Sequence, residues 1–423
     1  MKKITPIKIL ILAIILLIPL TGKAQALSNF WKGDNQKPCY QWRGLMLDES
    51  RHFFGKEKVK QLLDIMAELR LNVFHWHLTD EPGWRIEIKA YPKLTTIGGK
   101  GNWHDPNAPA AFYTQEDIKE IVKYASNKGI MIIPEIDMPG HATAACRAYP
   151  ELSGGGEGRW VGFTFNPAKE ITYKFIDDVF SEVAQLFPSP YIHIGGDEVT
   201  FGNQAWRTDK TIVSFTKKQG LAGDLELEHY FIRKVAGIAK KHNKKIIGWD
   251  EILNAGVSPK DALIMWWRHD KPSLLVKALE DGYQVVLCPR RPLYADFIQW
   301  PTDKIGRQWN GYNTWMDILE FPAPIENYIK GHEQQVLGMQ FNLWTERVST
   351  ARRLDYMLFP RLAAMAKAAW QPDSRKSTSL FLKQLPVFLK YLDSLGVYYF
   401  DLFAPERHPE PTAPDKEDVL KNG

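Results

Sequence analysis

Short runs of strand-forming residues alternate with helix-forming segments along most of the chain, and this alternation leaves few folds open. Eight runs rich in Val, Ile and aromatic residues predict strands at residues 39–47, 72–78, 130–136, 191–195, 246–249, 263–267, 284–288 and 336–344. Helical apolar spacing occurs between them at residues 56–70, 114–128, 168–187, 224–242, 273–281 and 351–370, with Thr114 and Asp117 placed to cap the second helix. Because such alternation forms parallel sheets and eight strands can close, we predict an α/β protein with a (β/α)8 TIM barrel.

A single domain can contain all eight strands. TIM barrels with long loops run from about 200 to more than 400 residues as one unit. The connections at 79–113, 137–167 and 289–335 are long, rich in Gly, Pro and Trp, and follow predicted strands. We therefore expect them at the carboxyl face of the barrel, where active sites are built. We assign residues 38–404 to this catalytic domain and residues 405–423 to a polar, proline-rich tail.

The amino terminus has the layout of a secretory signal peptide. Residues 1–26 contain four lysines, no acidic residue, an apolar run from Ile9 to Leu20, and small residues before a cleavage site expected after Ala26. That run of about 12 residues is shorter than the roughly 20 that span a bilayer, although a retained membrane anchor is the alternative. We predict an exported protein, periplasmic or extracellular. Without this segment the formal net charge falls from +5 to +1, so the charge does not indicate a nucleic-acid or membrane-surface partner.

Charged and aromatic side chains recur where the predicted strands end. They are Arg43, Asp48, Asp80, Glu81, Glu135, Asp137, His141, Asp197, Glu198, Trp249, Asp250, Glu251, Trp266, Trp267, Tyr294, Asp296, Trp344 and Glu346. One charged residue at a strand end is usually solvated, but recurrence at seven or eight strands predicts a shared site. Carboxylates accept hydrogen bonds from hydroxyls, and aromatic rings stack on apolar C–H faces, so the combination favours a carbohydrate ligand.

The sequence HIGGDE at residues 193–198 is the most specific element. An apolar strand runs into Gly195 and Gly196, which permit close backbone approach, and two adjacent carboxylates follow. Neighbouring side chains of a strand point to opposite faces, so Asp197 and Glu198 are not expected to flank a glycosidic bond as acid and nucleophile. We expect one to protonate the leaving oxygen and the other to orient a group of the substrate.

Seven motifs occur in order along the chain: WRGLMLDESRHF at 42–53, NVFHWHLTDEPGWRIEI at 72–88, PEIDMPGHATAA at 134–145, HIGGDEV at 193–199, GWDEI at 248–252, LYAD at 293–296 and LWTE at 343–346. In these motifs and their order the sequence resembles glycoside hydrolase family 20, the β-N-acetylhexosaminidases. The resemblance implies an exo-acting, retaining enzyme that removes terminal β-linked N-acetylglucosamine or N-acetylgalactosamine from glycans, with neither a cofactor nor a metal. The family commonly has a smaller α+β domain before the barrel, whereas about a dozen residues separate Ala26 from the first predicted strand.

The resemblance also implies a role for individual residues. Glu198 would be the general acid and base, and Asp197 would hold the substrate's acetamido group while its carbonyl oxygen attacks the anomeric carbon, giving an oxazolinium intermediate. Tyr294 would contact that carbonyl oxygen. The other implied substrate-binding residues are Trp249, Trp267, Trp344 and Trp309 as aromatic walls, Arg43, Asp296 and Glu346 for hydroxyl groups, and Asp80 and His141 as supports near the acid.

Two other functions remain open. His75 and His77 share one face of the second predicted strand, and with His141, His193 and Asp250 they could form the metal site of a metal-dependent amidohydrolase-like barrel. No lysine follows a strand end there to bridge two metals, so hydrogen-bonded packing is the favoured interpretation of the two histidines. The second alternative is a catalytically inactive sugar-binding protein. The presence of Asp197, Glu198 and Tyr294 together weighs against it.

Overall fold

A closed barrel of eight parallel strands in chain order forms the centre of the molecule. The structure is a computed structural model that describes residues 27–34, 37–309, 311–371 and 377–412. The strands are β1 Trp42–Asp48, β2 Val73–His77, β3 Met131–Glu135, β4 Tyr191–His193, β5 Lys245–Trp249, β6 Ala262–Trp266, β7 Gln284–Leu287 and β8 Val336–Leu343. The prediction of an α/β fold with a (β/α)8 barrel is confirmed, and every predicted strand overlaps an observed one.

Helices connect the strands. They are α1 Lys56–Glu68, α2 Lys93–Thr96, α3 Gln115–Ser126, α4 Thr143–Ala148, α5 Glu170–Leu186, α6 Lys210–Lys218, α7 Asp224–Lys241, α8 Pro272–Glu280, α9 Arg290–Leu293, α10 Trp315–Glu320, α11 Glu326–Ile329, α12 Ala351–Leu358, α13 Arg361–Trp370 and α14 Thr378–Ser394. Five of the six predicted helical segments are confirmed. In α3, Thr114 and Asp117 form a reciprocal capping box. The short helices α2, α4 and α6 lie in connections where no helix was predicted.

The prediction of one helix over residues 351–370 is wrong. Helix α12 ends at Leu358, Phe359 has an extended backbone (φ −107°, ψ 137°), and α13 begins at Arg361. Proline has no backbone N–H to donate, and its ring disfavours helical geometry in the residue before it. Pro360 therefore divides an otherwise continuous helical pattern into two helices.

Two apolar cores lie on the two sides of the barrel wall. The outer core packs strand residues such as Phe74 and Trp76 against the helices. The inner core fills the barrel with Met46, Val73 and Ile133, and it continues upward into aromatic residues at the strand ends. Because strands of a parallel barrel are buried on both faces, their sequences read as apolar runs, which is why they were predictable.

Both ends of the described chain pack on the barrel. Near the amino end, the Arg70 guanidinium lies 4.3 Å from the Trp31 ring centroid and 4.6 Å from that of Trp370. In the segment predicted as a tail, Glu410 lies 3.1 Å from the buried Arg353. The predicted signal peptide, residues 1–26, falls outside the described residues, as does 413–423. Among the described helices, none has the length and apolar character required to cross a membrane.

A buried arginine fixes the loop between β7 and β8. The Arg361 side chain is fully buried and donates hydrogen bonds to the carbonyl oxygens of Ala295, Phe297, Asn313 and Met357 at 2.5–3.1 Å. Three of these carbonyls lie in the β7–β8 loop between residues 294 and 314, where the described residues form no helix. The guanidinium therefore supplies hydrogen bonds that a helix or sheet would otherwise provide.

We expect Arg361→Met to lower the free energy of unfolding by more than about 2 kcal/mol, because several buried carbonyls would lose their donors. Urea denaturation followed by tryptophan fluorescence measures the change. The matched control is Arg352→Met, at an exposed position in α12 where the guanidinium lies 3.8 Å from the Tyr398 ring centroid; its effect should stay below about 1 kcal/mol. Equal losses in the two variants would contradict this account of the loop.

Candidate active site

A pocket with a volume of about 240 Å³ opens at the carboxyl end of the barrel, and we call it the inner pocket. Its lining includes the predicted residues Asp197, Glu198, His141, Trp249, Trp267, Tyr294, Trp344, Trp309 and Glu346. A larger space of about 820 Å³, the outer cleft, adjoins it and shares residues such as Glu198 and Trp309. The topology therefore brings side chains from distant parts of the sequence to one site, as expected for a TIM barrel.

Aromatic rings form the walls of the inner pocket. The centroids of Trp249 and Trp344 are 5.8 Å apart, and Trp267 stacks beside Tyr294 with an interplanar angle of 13°. The Trp267 indole donates to Glu251 at 3.0 Å, which fixes the ring. The neighbouring Trp266 side chain belongs to the outer core, so of the two adjacent tryptophans Trp267 is the one in the pocket.

Asp197 and Glu198 both reach the inner pocket because the chain is no longer a strand there. Strand β4 ends at His193, and Glu198 has left-handed backbone geometry (φ 53°, ψ 19°), so strand alternation does not separate the two side chains. At Gly195 a Cβ atom would lie 1.7 Å from Asp137 Oδ1. The close approach of this turn to Asp137 therefore requires glycine.

His141 lies between Asp80 and the two adjacent acids. Its Nδ1 is 3.0 Å from Asp80 Oδ1, and its Nε2 is 3.8 Å from both Asp197 Oδ2 and Glu198 Oε2. Burial alone would lower the pKa of His141, but Asp80, Asp137 and Asp197 raise it well above its usual value. The imidazole is therefore charged at neutral pH, and its cation faces the acids of the pocket.

The carboxyl groups around His141 are held in different protonation states. Burial would raise the pKa of Asp80, but Arg51 and His141 lower it, so Asp80 is an anion. Burial raises the pKa of Asp197 to about 7, with Glu198 adding to the shift and His141 opposing it. Burial and the nearby Asp197 also raise the pKa of Asp137 well above its usual value. Asp197 is the group in this set whose charge changes near neutral pH.

The histidines considered for a metal site converge on a buried carboxylate. His75 Nε2 lies 3.0 Å and His193 Nδ1 lies 2.8 Å from Glu135, and His77 Nδ1 contacts the same side chain. Asp250 does not join them, because it accepts the backbone N–H of Trp267 at 3.0 Å and pairs with Arg268. The structure therefore keeps Asp250 apart from these histidines, and the Glu135 carboxylate accounts for the positions of His75 and His77.

Two acids of the outer cleft, Asp296 and Glu346, share an arginine that sequence reasoning missed. Arg307 lies 2.5 Å from Asp296 and 2.8 Å from Glu346, and its guanidinium is 4.7 Å from the ring centroid of Trp309, which is 56% exposed. Burial raises the pKa of Asp296 to about 6, although Arg307 opposes the shift. Arg307 lies in the long loop after β7, and no pattern in the sequence predicts this contact.

The structure does not place Arg43 in the site, which corrects that prediction. Arg43 lies at the amino end of β1, and its guanidinium donates to the carbonyl oxygens of Arg70 and Tyr40 at 2.8 and 2.7 Å. Arg51 lies at the pocket instead, 2.7 Å from Asp80 and 5.1 Å from the ring centroid of Trp344. The sequence contains the feature that distinguishes the two arginines: Arg51 follows the carboxyl end of β1, whereas Arg43 precedes most of the strand.

The model of the glycosyl hydrolase family 20 catalytic domain matches residues 40–373, which include all eight strands. The chain belongs to glycosyl hydrolase family 20. Within this family it is 38% identical over 378 residues to a β-hexosaminidase of Porphyromonas gingivalis, covering 86% of this chain and 47% of that protein. It is 35% identical over 350 residues to a β-hexosaminidase of Vibrio furnissii, covering 78% and 56%.

A solved family 20 structure is also similar. It is the exo-β-N-acetylglucosaminidase of Vibrio harveyi in complex with N-acetylglucosamine, with a TM-score of 0.79 and 34% identity, covering 86% of this chain and 60% of that chain. This protein spans about half the length of the two curated β-hexosaminidases named above. Residues 40–373, matched by the family model, include the barrel of this chain and the pocket at its carboxyl end.

Proposed function

We propose that the protein is an exo-acting, retaining β-N-acetylhexosaminidase that removes terminal β-linked N-acetylglucosamine or N-acetylgalactosamine from glycans. One observation carries the proposal: the adjacent Asp197 and Glu198 both face one aromatic-walled pocket and lie at equal distance, 3.8 Å, from His141 Nε2. One bound sugar can therefore contact both acids at once. Membership of family 20 and the similarity to β-hexosaminidases support the same activity.

In the proposed first step, the substrate supplies its own nucleophile. The acetamido carbonyl oxygen attacks the anomeric carbon and forms an oxazolinium ion, while Glu198 donates its proton to the departing glycosidic oxygen. The Asp197 carboxylate accepts the acetamido N–H and stabilises the positive charge that develops on that group. In the second step Glu198 takes a proton from water, and the water oxygen bonds to the anomeric carbon. The bond between the acetamido oxygen and the anomeric carbon breaks, which opens the oxazolinium ring and leaves the anomeric configuration retained.

The surrounding residues support this chemistry by position and charge. The His141 cation favours the carboxylate form of Asp197 that the mechanism needs, and Asp80 holds His141 from the other side. Tyr294 lines the same pocket, and we propose that its hydroxyl donates to the acetamido oxygen. Trp249, Trp267 and Trp344 form the apolar walls that an acetyl methyl group requires.

Exo action fits the acids that Arg307 holds where the inner pocket meets the outer cleft. Arg307 fixes the carboxylates of Asp296 and Glu346, and Asp296 Oδ1 is buried without a partner among the described residues. A sugar hydroxyl can donate to this oxygen, whereas a further sugar linked there would leave it unpaired. We also propose that the protein is exported, on the basis of the signal-peptide layout of residues 1–26.

The test is hydrolysis of paired aryl glycosides. We expect cleavage of the aryl β-N-acetylglucosaminide and no cleavage of the matching β-glucoside, which lacks the internal nucleophile, and no change in rate when a chelator is added. Equal cleavage of both would contradict the substrate-assisted mechanism. Loss of activity with chelator would support a metal-dependent hydrolase, and sugar binding without turnover would support an inactive binding protein. The corresponding galactosaminide measures the preference at the 4-hydroxyl.

For Glu198→Gln we expect an effect that depends on the leaving group. With an alkyl aglycone, kcat/KM should fall about 10²–10⁴-fold, because a poor leaving group needs its oxygen protonated. With a nitrophenyl aglycone the loss should be much smaller. Glu320→Gln, at an exposed position in α10, is the matched control and should retain the wild-type rates. Equal losses on the two aglycones would show that Glu198 is not the acid.

For Asp197 we expect a distinct pH dependence. The mechanism needs the carboxylate, so kcat/KM of the wild type should fall as the pH drops below about 7, the pKa of buried Asp197. Asp197→Asn should lower kcat about 10²–10³-fold and remove that decline.

The same shift gives a stability control. Because the folded protein holds the pKa of Asp197 above its value in the unfolded chain, ionisation of Asp197 destabilises the fold as the pH rises through about 7. Asp197→Asn should therefore melt at the wild-type temperature or higher at pH 8, measured by calorimetry. The exposed Asp281→Asn is the control. A lower melting temperature for Asp197→Asn would indicate a structural role.

A further inference from the structure

The outer cleft is more than three times as large as the inner pocket and continuous with it. Its walls come from separate loops: Trp103 follows β2, Arg159 and Trp160 follow β3, and Lys304 follows β7. Glu198, the proposed acid, lines both spaces. On the proposed function, the glycosidic oxygen lies at Glu198, so the part of the glycan beyond the cleaved bond occupies the outer cleft.

Three cations of the outer cleft form no ion pair within 4 Å. Among the described residues, no carboxylate oxygen lies within 4 Å of the charged nitrogens of Arg159, Lys304 or Arg347, which all line the cleft. Arg347 donates to the Gly306 carbonyl oxygen at 3.0 Å, which holds its guanidinium beside the segment that carries Lys304. A guanidinium has five donors, so most of those on Arg347 stay available to a ligand.

The other charges of the cleft are compensated within the protein. Arg51 pairs with Asp80, and Arg307 pairs with Asp296 and Glu346. Glu81 lies 3.8 Å from His141 Nδ1, so it faces a cation already. With Glu198 included, the cleft lining has four carboxylates against five lysine or arginine side chains and the His141 cation, so its net charge is positive. The chain without residues 1–26 has a formal net charge of only +1.

Aromatic surface accompanies these cations. The Arg159 guanidinium lies 4.3 Å from the ring centroid of Trp160, and the Trp160 and Phe201 centroids are 5.9 Å apart. Phe201 lines both spaces, yet its side chain is 47% exposed. A flat apolar surface of this kind can support the C–H face of a second sugar ring, with Arg159 beside it.

From this arrangement we infer that the outer cleft is a subsite for an acidic sugar: the residue to which the terminal N-acetylhexosamine is attached carries a carboxylate or sulfate, bound by Lys304, Arg347 and Arg159. The inference rests on the proposed function and specifies its substrate class. Guanidinium groups bind both carboxylate and sulfate in a bidentate manner. The cleft residues therefore predict a negatively charged group, and the experiment distinguishes carboxylate from sulfate.

The experiment compares kcat/KM for disaccharides that differ only in the anion. One pair has N-acetylglucosamine β-linked to glucuronic acid or to glucose; the other has it β-linked to galactose with or without sulfate on the primary hydroxyl. For at least one pair we expect the acidic substrate to be preferred about tenfold at low salt, and the preference to shrink as salt rises from about 50 mM to about 500 mM. The pair that shows it identifies the anion.

Variants then locate the effect. Arg347→Gln and Lys304→Gln should each reduce the ratio of acidic to neutral kcat/KM by about threefold, and Lys304→Glu should reduce it further. Lys390→Gln, which removes an exposed cation on α14 away from the cleft, should leave the ratio unchanged. Using the ratio within each variant corrects for any general loss of activity or of folded protein.

The possible failures are distinguishable. A wild-type ratio near one for both pairs, or no cleavage of either pair by a protein that cleaves the neutral aryl glycoside, overturns the acidic subsite and leaves the proposed function intact. A high ratio that survives all three cleft variants overturns the assignment to Lys304 and Arg347. Failure to cleave the neutral aryl glycoside overturns both proposals.

Discussion

Glu135, fully buried at the end of β3, ties four strands together beneath the inner pocket. It accepts the Trp249 indole N–H from β5 at 3.1 Å, and it contacts His77 of β2 and His193 of β4. Burial would raise the pKa of Glu135, but the histidines lower it well below its usual value, so it is an anion. A buried charge is tolerated only where opposite charge and hydrogen bonds compensate it, and the neighbouring strands supply both.

From Glu135 the charges alternate outward to the pocket. Burial would lower the pKa of His77, but Glu135 and Asp80 raise it, and His77 Nε2 lies 2.9 Å from Asp80. Asp80 in turn contacts His141, which faces Asp197 and Glu198. Anion and cation thus follow each other from the barrel axis to the acids. The position and charge of His141 depend on this series, and through His141 so does the environment of the proposed acid.

The sequence predicted the regular part of the molecule better than the irregular part, for physical reasons. Strands buried on both faces give apolar runs, so all eight were found. Helical spacing alone did not reveal the interruption at Pro360. Motif matching identified Asp197, Glu198 and the pocket tryptophans. It also assigned Arg43 to the site, although the arginine that follows the carboxyl end of β1 is Arg51. Arg307 was missed because its contacts depend on how a long loop folds, and the pKa of Asp197 was not predictable because it depends on burial.

The long loops that carry much of the site are held by buried arginines in place of regular structure. Arg85 donates to the carbonyls of Ser50, Gly99 and Gly101, as Arg361 does for the loop after β7. The segment from Gly195 to Glu198 has a different constraint: its two acids are consecutive residues on one glycine-dependent turn. An insertion or deletion there would displace both acids together. A change of chain length at this turn therefore affects the proposed steering and proton-transfer roles together, whereas the surrounding loops can vary separately.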